Sequence, residues 1–228
     1  MPNIVMADKS QGGISIDDFL NADYDFGHVS TSNAQIPKYS FCYRSGEIFF
    51  NAPNISFIPD SLFYINSGLK EISAPEITYI GASAFQSATS LKNVVFPKCS
   101  QCFSSAFYGA TNLESVDFGG IPTSTAGFNR NSIFTNCTKL KTIILRGNAI
   151  WPLSNINTFT GTPFASGGTG GTIYIPKSLY DHLGDGTSSD YKAASNWTTI
   201  DGYGTITWAQ IEGSTYETHY GDGTLIPT

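Results

Sequence analysis

Two of the four cysteines in this chain, Cys99 and Cys102, stand as Cys-x-x-Cys. That spacing suits a redox pair or half of a zinc site. A zinc ion would need two further ligands, and only Cys42, Cys137 and the scattered His28, His182 and His219 remain. No Gly-x-Ser-x-Gly elbow supports a serine nucleophile. The adjacent carboxylates Asp17 and Asp18 could serve acid–base hydrolysis of a glycoside, but no constrained partner stands near them. The loop Asp185-Gly-Thr-Ser-Ser-Asp190 has loose calcium-binding chemistry without the alternating Asp spacing or bidentate Glu, so helix capping by Asp190 is the simpler expectation. Gly167-Gly-Thr-Gly-Gly171 could cradle a phosphate, yet no Lys-Ser/Thr follows, and a turn is expected. Asn54-Ile-Ser, Asn136-Cys-Thr and Asn196-Trp-Thr match the glycan acceptor pattern in a chain where Ser and Thr are abundant. The residues therefore point to no catalytic set and no cofactor.

Composition narrows the classes. The 228 residues carry a formal charge of −6, with 13% charged, 40% hydrophobic and 14% aromatic residues. Charges are about half as frequent as usual, and 49 Ser and Thr take their place as surface polar groups. Such a chain is too apolar to be disordered. It is acidic and lacks a Lys/Arg run, which excludes a phosphate-reading nucleic-acid binder. No apolar stretch approaches the ~18 residues of a membrane span. Four cysteines are too few for a disulfide scaffold. The first residues, Met1 to Lys9, do not read as a signal peptide.

The elements that must position these residues announce themselves as repeats. Phe41, Phe63, Phe85 and Phe107 are each 22 residues apart, as are Leu69, Leu91 and Leu113, and Pro53, Pro75 and Pro97. Ile72, Val94 and Val116 form another column. The period then stretches: Phe134 follows 27 residues on and Phe159 another 25. Leu140 and Ile143 continue their columns, and Thr172-Ile-Tyr-Ile-Pro176 repeats the strand-Pro ending. A unit of this size cannot bury its own apolar face, so the units must stack, with like residues over one another. The alternation around Ile72 predicts a short strand, and successive strands should align in parallel. The following half, Ile77 to Phe85, predicts a turn of helix or a tight coil. On this ladder Cys99 falls on Ile77 and Ile55, and Cys102 on Ile80 and Ile58. Both thiols are therefore expected in the core, where free Cys acts as a small hydrophobe, ahead of a disulfide or a metal site. Cys137 aligns with Ala88 and Ala110 and carries the same expectation.

Phe134-Thr-Asn-Cys137-Thr-Lys-Leu140-Lys-Thr-Ile143-Ile-Leu and Ile80-Gly-Ala-Ser-Ala-Phe85-Gln-Ser-Ala-Thr-Ser-Leu91 resemble the repeat of BspA-like leucine-rich repeat proteins. The resemblance covers residues 41–176; Glu47 stands where the first unit should carry Leu, and the third and fourth units are enlarged. It implies an α/β solenoid, a right-handed leucine-rich-repeat horseshoe with a parallel sheet of short strands, mostly β and coil. It also implies use in binding, often at bacterial or protist surfaces, and no catalytic residues. Residues 1–40 and 177–228 are then expected as amino- and carboxy-terminal caps. Within the latter, Lys177–Leu183 and Ser189–Trp197 are predicted short helices, and Tyr203–Trp208 a last strand. The segment from Ile175 to Trp197 also resembles the endings of such proteins from Gram-positive bacteria and their phages.

Alternation of side chains along the strands yields two outward columns. The first is Phe49, Glu71, Asn93, Ser115, Thr142 and Thr172; the second is Asn51, Ser73, Val95, Asp117, Ile144 and Tyr174. This hydroxyl-rich, nearly uncharged face is the candidate binding surface, with affinity resting on shape and aromatic anchors. The leading reading is a non-enzymatic binding or adhesion protein recognising a protein or glycan outside the bacterial cell; the alternative is a structural or receptor-binding part of a phage or prophage virion. Leu91→Asp would bury an unpaired charge inside the stack, so its melting temperature is expected to fall well below that of the wild type; an unchanged thermal melt would refute the column assignment.

Overall fold

The computed structural model describes residues 23–25, 36, 38–52, 55–119 and 131–211. Eleven short strands appear among them: β1 (Asp23–Asp25), β2 (Ile48–Asn51), β3 (Phe57–Ile58), β4 (Leu69–Ser73), β5 (Tyr79–Ile80), β6 (Asn93–Phe96), β7 (Gln101–Cys102), β8 (Ser115–Phe118), β9 (Thr142–Leu145), β10 (Gly171–Ile175) and β11 (Ile206–Gln210). Two one-turn helices, Lys177–Tyr180 and Trp197–Asp201, and a 3-10 turn at Ile156–Phe159 complete the elements. Every strand pair is parallel.

The pairing follows the repeat. Phe49 lies opposite Glu71, Asn93 opposite Ser115, Ser115 opposite Thr142, and Thr142 opposite Thr172. One ladder runs β1-β2-β4 and another β6-β8-β9-β10-β11. The expected single sheet is thus interrupted between β4 and β6, although these strands remain in contact. A third, narrower ladder, β3-β5-β7, joins the other half of each unit. There the sequence expectation of a helical turn fails in part: Tyr79 and Ile80 are strand.

Beyond Ile80 the chain does form a tight coil, and its backbone explains why. The residues two before and two after Phe63, Phe85 and Phe107 have left-handed φ: Ser61 (56°) and Ile65 (52°), Ser83 (56°) and Ser87 (57°), Ser105 (58°) and Gly109 (70°). This conformation is unfavourable for side-chain-bearing residues. It turns alternate N–H groups along the stack. Ser83 N donates to Ser104 O at 3.0 Å, Phe85 N to Ala106 O at 2.7 Å and Ser87 N to Tyr108 O at 2.7 Å. A helix would direct these donors within its own unit; the left-handed residues send them to the next. Ile65 is the strained member, because a β-branched residue is a marked outlier at positive φ.

The core lies between the ladders. Phe41, Phe63, Phe85, Phe107, Phe134 and Phe159 form one continuous column, with ring centroids 5.3, 5.3, 5.0, 5.7 and 5.9 Å apart in turn. Leu69, Leu91, Leu113 and Leu140 are fully buried beside them. Each such side chain contributes about 1.5–3 kcal/mol through burial. The pattern also reaches back before residue 41: Ile36, Lys38 and left-handed Tyr39 stand 22 residues ahead of Ile58, Asp60 and Ser61. Most of the remaining 1–40 segment, expected as a cap, lies outside the described residues, as do 212–228.

At the carboxy end β11 joins β10 in parallel, as the sequence predicts for the last strand. The Ser189–Trp197 helix is not observed. Asp190 accepts the N–H groups of Gly186 and Lys192 and bends the chain into turns, and Asn196 takes φ 64°, so helix begins only at Trp197. Trp197 Nε1 donates to Trp151 O at 2.7 Å, and Asn196 Nδ2 to Leu153 O at 2.6 Å. The Trp151 N–H donates to the Tyr191 hydroxyl at 2.9 Å.

Asn66 stands in the column of Ala88, Ala110 and Cys137 and is fully buried. Its Nδ2 donates to Phe41 O at 2.7 Å, while its Oδ1 accepts from Gly68 N and Leu69 N. Asn66→Ala orphans these groups in the core, and a loss of about 2–3 kcal/mol is expected in chemical denaturation.

Candidate functional site

The chemistry-bearing motifs resolve into structural ones. Cys102 is strand-paired with Ile80, and Cys99, Cys102 and Cys137 are free thiols at most 1% exposed. Cys99 Sγ donates to Gln101 O at 3.5 Å and Cys137 Sγ to Phe107 O at 3.0 Å. Burial pushes the Cys99 thiol up to about 12 and also raises that of Cys137. Cys42 is half-buried. Asp190 is buried; desolvation raises its pKa, but the N–H groups of Gly184, Gly186 and Lys192 outweigh this and hold the carboxyl below its usual range. Its oxygens thus serve turn N–H groups, as the capping expectation anticipates, though in a turn rather than at a helix start. His182 Nδ1 meets Asp185 Oδ2 at 2.6 Å, and this contact, with the N–H of Thr187, holds the Asp185 carboxyl below its usual range. In the glycine run, Gly168 N and Gly170 N are committed to Ala165 O and Pro163 O, so the run is a turn. The Asn196 amide is used on Leu153. His28, His219, Asp17, Asp18 and Asn54 lie outside the described residues. Among the described residues no three His, Cys, Asp or Glu side chains converge on a metal position.

The strand face separates into two unlike columns. In the first, Phe49 is 42% exposed, Asn93 is exposed, and Glu71, Ser115, Thr142 and Thr172 are half-buried. Ser115 Oγ donates to Asn93 Oδ1 at 2.7 Å. The second column departs from expectation. Asn51, Val95 and Tyr174 are half-buried, but Ser73, Asp117 and Ile144 are buried at 8%, 2% and 3% exposure. Asp117 is covered because Arg146 lies across it, Nε to Oδ1 at 2.7 Å and Nη2 to Oδ2 at 2.8 Å. The charge that looked like a surface group in the alternation is one half of a bidentate pair.

An open cleft of about 530 Å³ lies over the first column, lined among the described residues by Asn93, Ser115, Thr142, Glu114, Thr138, Lys139 and Lys141. Lys139 Nζ donates to Asn112 Oδ1 at 2.7 Å. The three charged side chains give this face an electrostatic edge that the alternation did not reveal. The signal of Glu114 and Lys141 was present one position earlier in each unit, where Lys70, Lys92, Glu114 and Lys141 form a column of their own. The arrangement offers donors and acceptors on a rigid ladder.

Residues 56–181 match the model of the BspA type leucine-rich repeat region, in six copies. The chain belongs to the BspA-type leucine-rich repeat family. Comparison with curated proteins and with solved structures finds no match. Membership agrees with the parallel ladders and the strand-and-coil units, and BspA-type repeats serve protein binding or adhesion and are generally non-enzymatic. No described helix is long and apolar enough to cross a membrane.

Thiol chemistry provides the check on this site. In the native BspA-type stack only Cys42 is expected to react rapidly with a thiol reagent; Cys99, Cys102 and Cys137 should react at the rate of unfolding. Because the Cys99 thiol is raised in the folded state, its contribution to stability is complete below about pH 9 and is lost as pH rises towards 12. Denaturation midpoints should fall across that window, and should fall less in Cys99→Ala.

Proposed function

We propose that this chain is a non-enzymatic recognition module that binds a protein or glycan outside the bacterial cell through the first strand-face column. In this reading the units wind as a right-handed solenoid of horseshoe type. The segment ahead of Ile36 and the segment 177–228 shield its two ends. The observation that carries the reading is the cleft over Asn93, Ser115 and Thr142. These side chains are registered by consecutive backbone ladders, so their spacing is held without ligand. Pre-organisation of this kind lowers the entropy lost on binding. Phe49 adds an exposed aromatic at the amino end of the same column, and aromatic anchors carry a large share of contact energy. Lys139, Lys141 and Glu114 supply orientation at the margin. Glu71 and Thr172 extend the surface to either side, while Asn51, Val95 and Tyr174 contribute what remains open of the second column.

The test uses immobilised extracellular proteins and glycans probed with the full chain. Asn93 is exposed, so Asn93→Arg should melt like the wild type. It should bind the selected partner at least about tenfold more weakly. Equal binding by the two proteins would move recognition away from this face.

A further inference from the structure

A second groove opens on the β3-β5-β7 ladder, apart from the strand-face cleft. Its volume is about 420 Å³, within the range of small-ligand sites. Among the described residues it is lined by Lys38, Phe57, Pro59, Asp60 and Tyr79. Phe57 and Tyr79 are strand-paired neighbours, both half-buried and both lining the groove, and the Phe103 ring centroid lies 4.8 Å from that of Tyr79. Aromatic residues at these surface positions are not needed for the stack, because the core columns lie on the opposite side of the ladder, at Ile58, Ile80 and Cys102.

The polar wall of the groove is held in place. Asp60 Oδ2 meets Lys38 Nζ at 2.5 Å, and Asp60 Oδ1 accepts from Ala82 N at 2.9 Å. Gly81 makes this possible: a Cβ there would lie 2.5 Å from Asp60 Oδ1 and from Asp60 N. Both charged side chains still reach solvent, at 33% exposure for Asp60 and 60% for Lys38. Burial, and then the nearby Asp60 charge, keep the Tyr79 hydroxyl protonated above its usual range, so it remains a donor.

We propose that this groove is a subsite for one neutral hexopyranose ring. The C–H face of the sugar lies on Phe57 and Tyr79, and two neighbouring hydroxyls are shared between Asp60 and Lys38. Three features select this chemistry. The charges are already paired, so a charged ligand would have to displace one partner. A sugar hydroxyl both donates and accepts, and so satisfies a carboxylate that only accepts and an ammonium that only donates. A polyproline segment laid on the same two rings has carbonyl acceptors but no N–H to offer the Asp60 carboxylate.

Calorimetric titration of the full chain with cellohexaose, mannohexaose and maltohexaose tests the assignment. At least one should bind, and Tyr79→Ala and Asp60→Asn should each weaken it by about tenfold. Asp60→Asn keeps the acceptor for Ala82 N and so preserves the fold, which a thermal melt verifies. Asn93→Arg, on the other face, should leave this binding unchanged. Four outcomes would overturn the proposal: no binding of any of the three sugars, binding indifferent to both groove variants, binding lost only in Asn93→Arg, or binding of decaproline but of no sugar with sensitivity to Tyr79→Ala.

Discussion

Backbone hydrogen bonding along the stacking axis is the constraint from which the other features follow. Each unit must direct alternate N–H groups at a neighbouring unit rather than at itself, in its strand half and in its Phe turn alike. Strand geometry does this for residues such as Ile72 and Val94 without strain. The turn does it only by placing the residues two before and two after the Phe in the left-handed region, as at Ser83 and Ser87. Each left-handed residue carries a penalty of about 1–2 kcal/mol. The bonds it permits, such as Phe85 N to Ala106 O, leave a buried backbone satisfied, and they lock neighbouring units at a fixed separation.

That separation brings the phenylalanine rings together. Centroids at 5.0 to 5.9 Å are the offset stacking distance of aromatic pairs, worth about 0.5–1.5 kcal/mol beyond area burial. The same spacing allows residues 22 apart to touch on the surface. Lys38 reaches Asp60 and Lys98 reaches Glu76 across one unit boundary. Exposed pairs of this kind add little stability singly. Their importance here is positional, since they fix side chains at the rims of grooves. Surface features in such a protein are therefore columns, and both grooves are made from equivalent positions of neighbouring units.

Conversion of apparent reactive motifs into packing has the same origin. Cys99 and Cys102 look like a chelating pair only when read along the chain. Read across the stack, they take the places of Ile77 and Ile80, and desolvation favours the neutral form of the Cys99 thiol. Asn66 and Cys137 show how one column can hold different chemistry: each sends its side-chain donor to the carbonyl of a Phe in the preceding unit, Phe41 or Phe107. Cys is thus tolerated there as a weak donor and Asn as a strong one.

Much of this was determined by the residues alone. The Phe and Leu columns, the strand register and the burial of the paired thiols all follow from a periodic apolar pattern, because identical units can bury that pattern only by stacking in phase. Other features required the tertiary arrangement. The break between β4 and β6, the left-handed residues flanking Phe63, Phe85 and Phe107 and the turns at Asp190 depend on which backbone groups meet, and side-chain type does not encode that. The burial of Asp117 under Arg146 joins residues 29 apart, outside the common step, because one unit is longer than the rest. The aromatic groove joins Lys38, from a segment that read as a cap, to Phe57, Asp60 and Tyr79, and only the folded ladder places those four side chains around a single space.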